Sequence, residues 1–172
     1  MHFEIAHEFD IPLDALELAV ISPTLVDKFG AKVHKLGVGI EKVTERSRSL
    51  RSGTLERVWH YQANVPVPQF ARGYLTREMC AWDEQSVYEM PRHRGRWTIV
   101  PNIRPEWRRF FWATGTYEIE PLGEGRSRRV VEGDLELRVR VVRQVAERLL
   151  VNEVKKAFEA EAATLRDIAT LI

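Results

Sequence analysis

Cysteine is nearly missing from this chain: Cys80 is the single one among 172 residues. An intrachain disulfide and a thiolate metal cage are therefore both excluded. Net charge is missing too. A formal charge of +1 leaves no concentrated basic excess for phosphate backbones, which argues against nucleic acid as a partner. No apolar run approaches the ~20 residues that cross a bilayer. The first eight residues alternate apolar and polar side chains, unlike the basic-then-apolar pattern of a secretory signal. A reduced, cytoplasmic protein is expected. The five His are scattered without zinc-site spacing. Gly37-Val38-Gly39 and Gly123-Glu124-Gly125 lie within or between expected strands, which does not fit a nucleotide fingerprint. No Gly-x-Ser-x-Gly elbow occurs. Neither a metal nor a cofactor is expected.

Glycine and proline are also missing from residues 143–172, so this segment reads as one long helix. Taking Leu150 as zero and about 100° per residue, Val154 falls at about 40°, Phe158 at about 80°, Leu165 at about 60° and Ile168 at about 0°. Lys155, Lys156, Glu159, Arg166 and Asp167 fall on the other side, giving an apolar stripe on a polar-backed helix. Glu161 breaks the stripe, at about 20°.

The preceding residues read mainly as strands. Phe3, Ile5, His7 and Phe9 alternate with His2, Glu4, Ala6 and Glu8, a period of two. Pro12 and Ser22-Pro23 are helix-start signals; they predict one short helix to about Ile21 and a second ending at Gly30. Leu36, Val38 and Ile40 then alternate, and after a turn at Ser52-Gly53 so do Leu55, Arg57, Trp59, Tyr61 and Ala63. Residues 66–74 read as a connector. Further strands are expected over 76–90, 96–100, 110–120 and 127–139, and intervals this short favour antiparallel hairpins. Lys is scarce, with 6 against 20 Arg, and the Arg clusters at 46–51, 92–96 and 126–129 read as solvated turns and strand edges offset by nearby carboxylates, the alternative being a weak anionic-membrane or acidic-partner surface.

This order of one strand, two short helices, about six antiparallel strands and a long C-terminal helix resembles the helix-grip fold of the START, polyketide-cyclase and Bet v 1-like superfamily. The likeness rests on residues 3–9 with Pro12 and Leu16, on Ser22-Pro23, and on residues 115–120, 133–137 and 154–161. The closing segment is most similar to an uncharacterised branch, a domain of unknown function. A Gly-containing turn commonly leads into the last helix of that branch, whereas residues 141–145 contain no Gly. The resemblance implies one α+β domain over 1–172, with a curved sheet of about seven strands wrapped around the last helix. It also implies a hydrophobic cavity, used across the superfamily for lipids, sterols, polyketides and hormones, with a few members acting as cyclases or hydrolases.

On that architecture, Phe3, Phe9, Trp59, Tyr61, Trp82, Tyr88, Trp97, Trp112, Tyr117 and Phe158 either line a pocket for a flat hydrophobic molecule or fill a closed core. His7 and Glu161 are the polar exceptions on apolar faces. They are candidates for an acid–base pair or for orienting a ligand, the alternative being a satisfied core histidine and a wet carboxylate. Trp107, Arg108 and Arg109 form the densest aromatic and basic segment. It reads either as a peripheral membrane contact or as the start of a strand with alternate rings buried.

Overall fold

A computed structural model describes residues 1–64, 80–138 and 143–171. The first strand, β1 (His2–Phe9), keeps its alternation, with Phe3, His7 and Phe9 buried and His2, Glu4 and Glu8 exposed. Pro12 stands at the N-cap position of α1 (Leu13–Val20), its carbonyl accepting the Leu16 N–H at 3.1 Å, and the helix buries Leu16, Ala19 and Val20. The second helix, α2 (Leu25–Lys35), does not stop at Gly30 as expected. Its buried stripe of Leu25, Val26, Phe29 and Val33 outweighs the ~1 kcal/mol that an interior glycine costs. The turn comes at Gly37, whose φ of +64° suits a residue without Cβ. The next strand therefore begins only at Ile40.

Strands β2 (Ile40–Arg51) and β3 (Thr54–Ala63) form a hairpin over Ser52-Gly53. Both turn residues have positive φ, as a two-residue turn matched to strand twist requires. Strand β4 (Ala81–Glu89) is followed by a turn of 3-10 helix at Met90–Arg92, then β5 (Arg94–Pro101). A second 3-10 helix, Pro105–Phe110, leads into β6 (Phe111–Gly123), and β7 (Arg126–Leu137) completes the strands. The expected connector at 66–74, the strand residues 76–79 and the approach to the last helix at 139–142 lie outside the described residues.

The seven strands form one antiparallel sheet in the order β1-β7-β6-β5-β4-β3-β2. The first strand thus pairs with the last, Phe3 opposite Gly133. The concave face is hollowed where glycines replace side chains. Gly115 and Gly133 face each other across β6 and β7. A Cβ on Gly115 would come within 2.0 Å of the Glu132 carbonyl, and one on Gly133 within 2.4 Å of Phe3 and 2.7 Å of Trp97. The rings of Phe3 and Trp97 lie in the space those side chains would take.

The long helix, α3 (Arg143–Ala169), lies against this concave face and packs on α1, α2, β1 and β7. Its far end is anchored by Lys32 to Asp167 at 2.5 Å and by Arg166 Nη2 donating to the Glu8 carbonyl at 3.0 Å. The α+β helix-grip arrangement follows directly from this topology.

Candidate functional site

The aromatic residues divide between a closed core and the lining of a hollow, at different ends of the space between sheet and helix. Toward α1 the interior is solid, with Phe9, Trp59, Tyr88, Leu16 and Leu165 all 2% exposed or less. Toward the start of α3 it is hollow. A cavity of about 340 Å³ is lined by side chains of β1, β3 to β7, α2, α3 and the stretch from Val38 to Ile40. Ligand pockets commonly span about 300–1,000 Å³.

Sheet parity and helix phase together build this lining. Tyr61 of β3 and Trp82 of β4 are cross-strand partners, and their rings stack at 5.2 Å and 6°. Phe3 stacks on Trp97 at 6.2 Å, and Phe158 of α3 closes the trio at 6.1 Å from Trp97 and 6.5 Å from Phe3. Leu150, Val154, Ala157, Phe158 and Glu161 bring one face of α3 to the cavity, a span of about 16 Å at 1.5 Å per residue. Burial deepens along it, from half-buried Leu150 and Val154 to buried Glu161.

Three carboxylates stand among this apolar surface. Glu153 is half-buried; it accepts the Gly39 N–H at 3.1 Å and Lys156 Nζ at 2.7 Å. Glu161 accepts Arg129 Nη1 at 2.9 Å and lies 3.8 Å from Arg57 Nη2. Both arginines are buried behind the lining, at 2% and 4% exposure. Arg57 also donates to Ser86 Oγ at 3.1 Å and to the Val20 carbonyl at 3.2 Å, placing a cation at the C-terminus of α1 where the helix dipole favours one. Its guanidinium lies 4.1 Å over the Trp59 ring, and that of Arg129 lies 4.7 Å over Tyr117, distances at which cation–π attraction operates. Glu84, inward-facing on β4, accepts the Tyr61 hydroxyl at 3.2 Å.

Glu84 is the electrostatic exception. Burial, reinforced by the neighbouring Glu161 charge, pushes its carboxyl up to about 7, against the pull of Arg57, the Tyr61 hydrogen bond and Arg129. Burial likewise pushes the Tyr61 hydroxyl well above its ordinary value and Tyr117 up to about 12. Among the described residues no group of three His, Cys, Asp or Glu side chains is placed to hold a metal ion.

Of the residues expected from the sequence, Phe3, Tyr61, Trp82, Trp97, Phe158 and Glu161 line the cavity. Phe9, Trp59, Tyr88 and Tyr117 belong to the solid end. Trp112 is a correction, for it is 49% exposed and stands opposite Glu136 on the outer face. Counting by twos from buried Tyr117 reaches Gly115, Ala113 and Phe111, so Trp112 falls on the other side.

His7 and Glu161 do not meet. His7 points inward and is buried, yet its Nε2 is 3.2 Å from Glu159, one edge of α3 away from the cavity, while Glu161 is taken by the arginines. Burial lowers the His7 pKa despite the Glu159 charge. The cluster at 126–129 is a second correction. Arg126 pairs with Glu8 and Asp10, and Arg128 with Glu120, at the surface, but Arg129 points into the core. Its signal was parity, since Arg129 shares a face with Val131, Gly133 and Leu135. Arg57 and Glu84 were overlooked in the same way. Arg108 and Arg109 are exposed on the second 3-10 helix, and the strand begins after it, at Phe111.

Solved structures share this fold. A protein from Thermus thermophilus superposes with TM-score 0.65 at 13% identity, covering 99% of this chain and 98% of that one. The Zhui aromatase/cyclase from Streptomyces sp. R1128 gives 0.64 at 15% identity over 99% and 93%. Norcoclaurine synthase from Thalictrum flavum gives 0.64 at 12% identity over 98% and 85%. No curated protein matches the sequence. One family model does, and because it spans residues 4–168, the chain belongs to the protein family of unknown function DUF2505.

Proposed function

We propose that this protein binds a hydrophobic, ring-bearing small molecule between the sheet and α3. The observation that carries the reading is the cavity of about 340 Å³, walled by the Tyr61–Trp82 stack and the Phe3, Trp97 and Phe158 trio. Burying apolar ligand surface yields about 25 cal/mol per Å², so ~300 Å² supplies several kcal/mol before the costs of association. Two proteins of the same fold, named as an aromatase/cyclase and a norcoclaurine synthase, support a cavity suited to cyclic compounds. Titration with the neutral probe N-phenyl-1-naphthylamine tests the reading. Saturable fluorescence enhancement at one probe per chain is expected, and no uptake of this or any other neutral hydrophobic probe would refute it.

A second reading, contact with an anionic membrane through Trp107, Arg108 and Arg109, is favoured by one observation. The 3-10 helix that carries these residues runs straight into Phe111, a cavity-lining residue. A surface held there would lie beside the cavity.

A further inference from the structure

Three carboxylates line the cavity, and the structure gives two of them cationic partners. Glu153 is occupied by Lys156 and the Gly39 N–H, and Glu161 by Arg129. Glu84 differs. Among the described residues, the hydrogen bond to its carboxyl comes from the Tyr61 hydroxyl alone, at Oε2. The other oxygen belongs to a side chain that is half-buried and borders the hollow. A carboxyl group has about four acceptor sites, so most of its capacity is unused by the protein.

We propose that Glu84 is the polar anchor of the cavity and that the ligand it holds is a neutral aromatic molecule bearing a hydroxyl group. The inference rests on the binding reading above and adds the chemical class. Charged handles are disfavoured from both sides. An anionic group entering here would meet the carboxyls of Glu84 and Glu161, which face the cavity, while Arg57 and Arg129 stand behind the lining and not in it. A cationic group would join two buried guanidiniums, against which Glu161 sets only one negative charge; even with Glu84 ionised, the site would then hold an excess buried positive charge, which is costly.

A hydroxyl adds no charge. It also donates to an ionised Glu84 and accepts from a protonated one, so it suits a carboxyl that titrates near neutrality. Beside Glu84, the stacked Tyr61 and Trp82 rings offer a flat surface for the aromatic body.

Equilibrium dialysis with four matched probes tests this: naphthalene, naphthol, naphthoate and naphthylmethylammonium. For the wild-type protein, naphthol should bind about tenfold tighter than naphthalene, the gain from one buried hydrogen bond, and tighter than either charged probe. Glu84→Leu should bring naphthol down to the affinity of naphthalene, and Glu84→Gln, which keeps an acceptor, should retain most of the preference. The inference is overturned if naphthol and naphthalene bind the wild-type protein equally, if a charged probe binds tightest, or if Glu84→Leu keeps the preference. The wild-type ranking decides alone should the Leu variant not fold. Binding of naphthalene with a failed ranking removes only the hydroxyl anchor; absence of all binding removes the cavity reading with it.

Discussion

Arg129 Nη1 and the Glu161 carboxylate meet at 2.9 Å inside the protein, joining β7 to α3 with both side chains nearly closed to solvent. Arg57, at 3.8 Å from the other oxygen, adds β3 to the same junction. The helix is thus held on the sheet by an ion cluster as well as by its apolar stripe, and the Glu161 carboxylate of that cluster forms part of the cavity wall.

Breaking that junction from one side strands a buried charge. Glu161→Ala should cost about 3–5 kcal/mol of stability, because Arg129 is left uncompensated. Pairing it with Arg129→Met should recover much of the loss. Urea denaturation of both variants checks this, and a single variant as stable as the wild-type protein would contradict it.

The Glu84 carboxyl makes stability depend on pH in a defined direction. Its folded value of about 7 exceeds the ordinary 4.5, so between these the folded state holds more protons than the unfolded one. Its favourable contribution is complete below 4.5 and is lost as pH rises through about 7. Glu84→Gln should therefore gain stability relative to wild type as pH increases across that window. Denaturation midpoints measured across it should diverge; parallel curves would count against the assignment.

Much of this was legible in the sequence and some was not, for physical reasons. The alternation of β1 and the stripe of α3, with Glu161 inside it, depend on neighbours along one element, which periodicity reports directly. Arg57 stood at an inward position between Leu55 and Trp59, but the groups that make it tolerable, Glu161 and Ser86, come from other elements. Arg129 and Glu84 were hidden likewise. Trp112 and Tyr117 could not share a face of one regular strand, so parity alone refutes Trp112 as a lining residue. Gly30 misled because a stop signal was weighed without the Val33 beyond it, whose burial carries α2 on.

The hollow depends on residues that supply nothing but room. Gly133→Ala would put a Cβ 2.4 Å from Phe3 and 2.7 Å from Trp97, forcing those rings toward the cavity. Overpacking of this kind typically costs about 1–3 kcal/mol. Thermal unfolding should show the loss, and probe affinity should fall with it. Unchanged probe binding would place the bound molecule elsewhere.

Membrane contact through the second 3-10 helix would be electrostatic in part. Arg108→Ala combined with Arg109→Ala should reduce co-sedimentation with anionic vesicles, and salt should weaken what remains, since exposed charges are screened within about 10 Å at 0.1 M salt. Equal sedimentation of wild type and variant would dismiss this surface.

The most direct measurement fills the cavity from the helix side. Ala157 lines it on α3, and Ala157→Trp would place an indole where a guest is proposed to sit. Titrated with N-phenyl-1-naphthylamine, the wild-type protein should take up one probe per chain and the variant, with its helical circular dichroism unchanged, should take up none. Equal uptake by both proteins would contradict the cavity as the binding site.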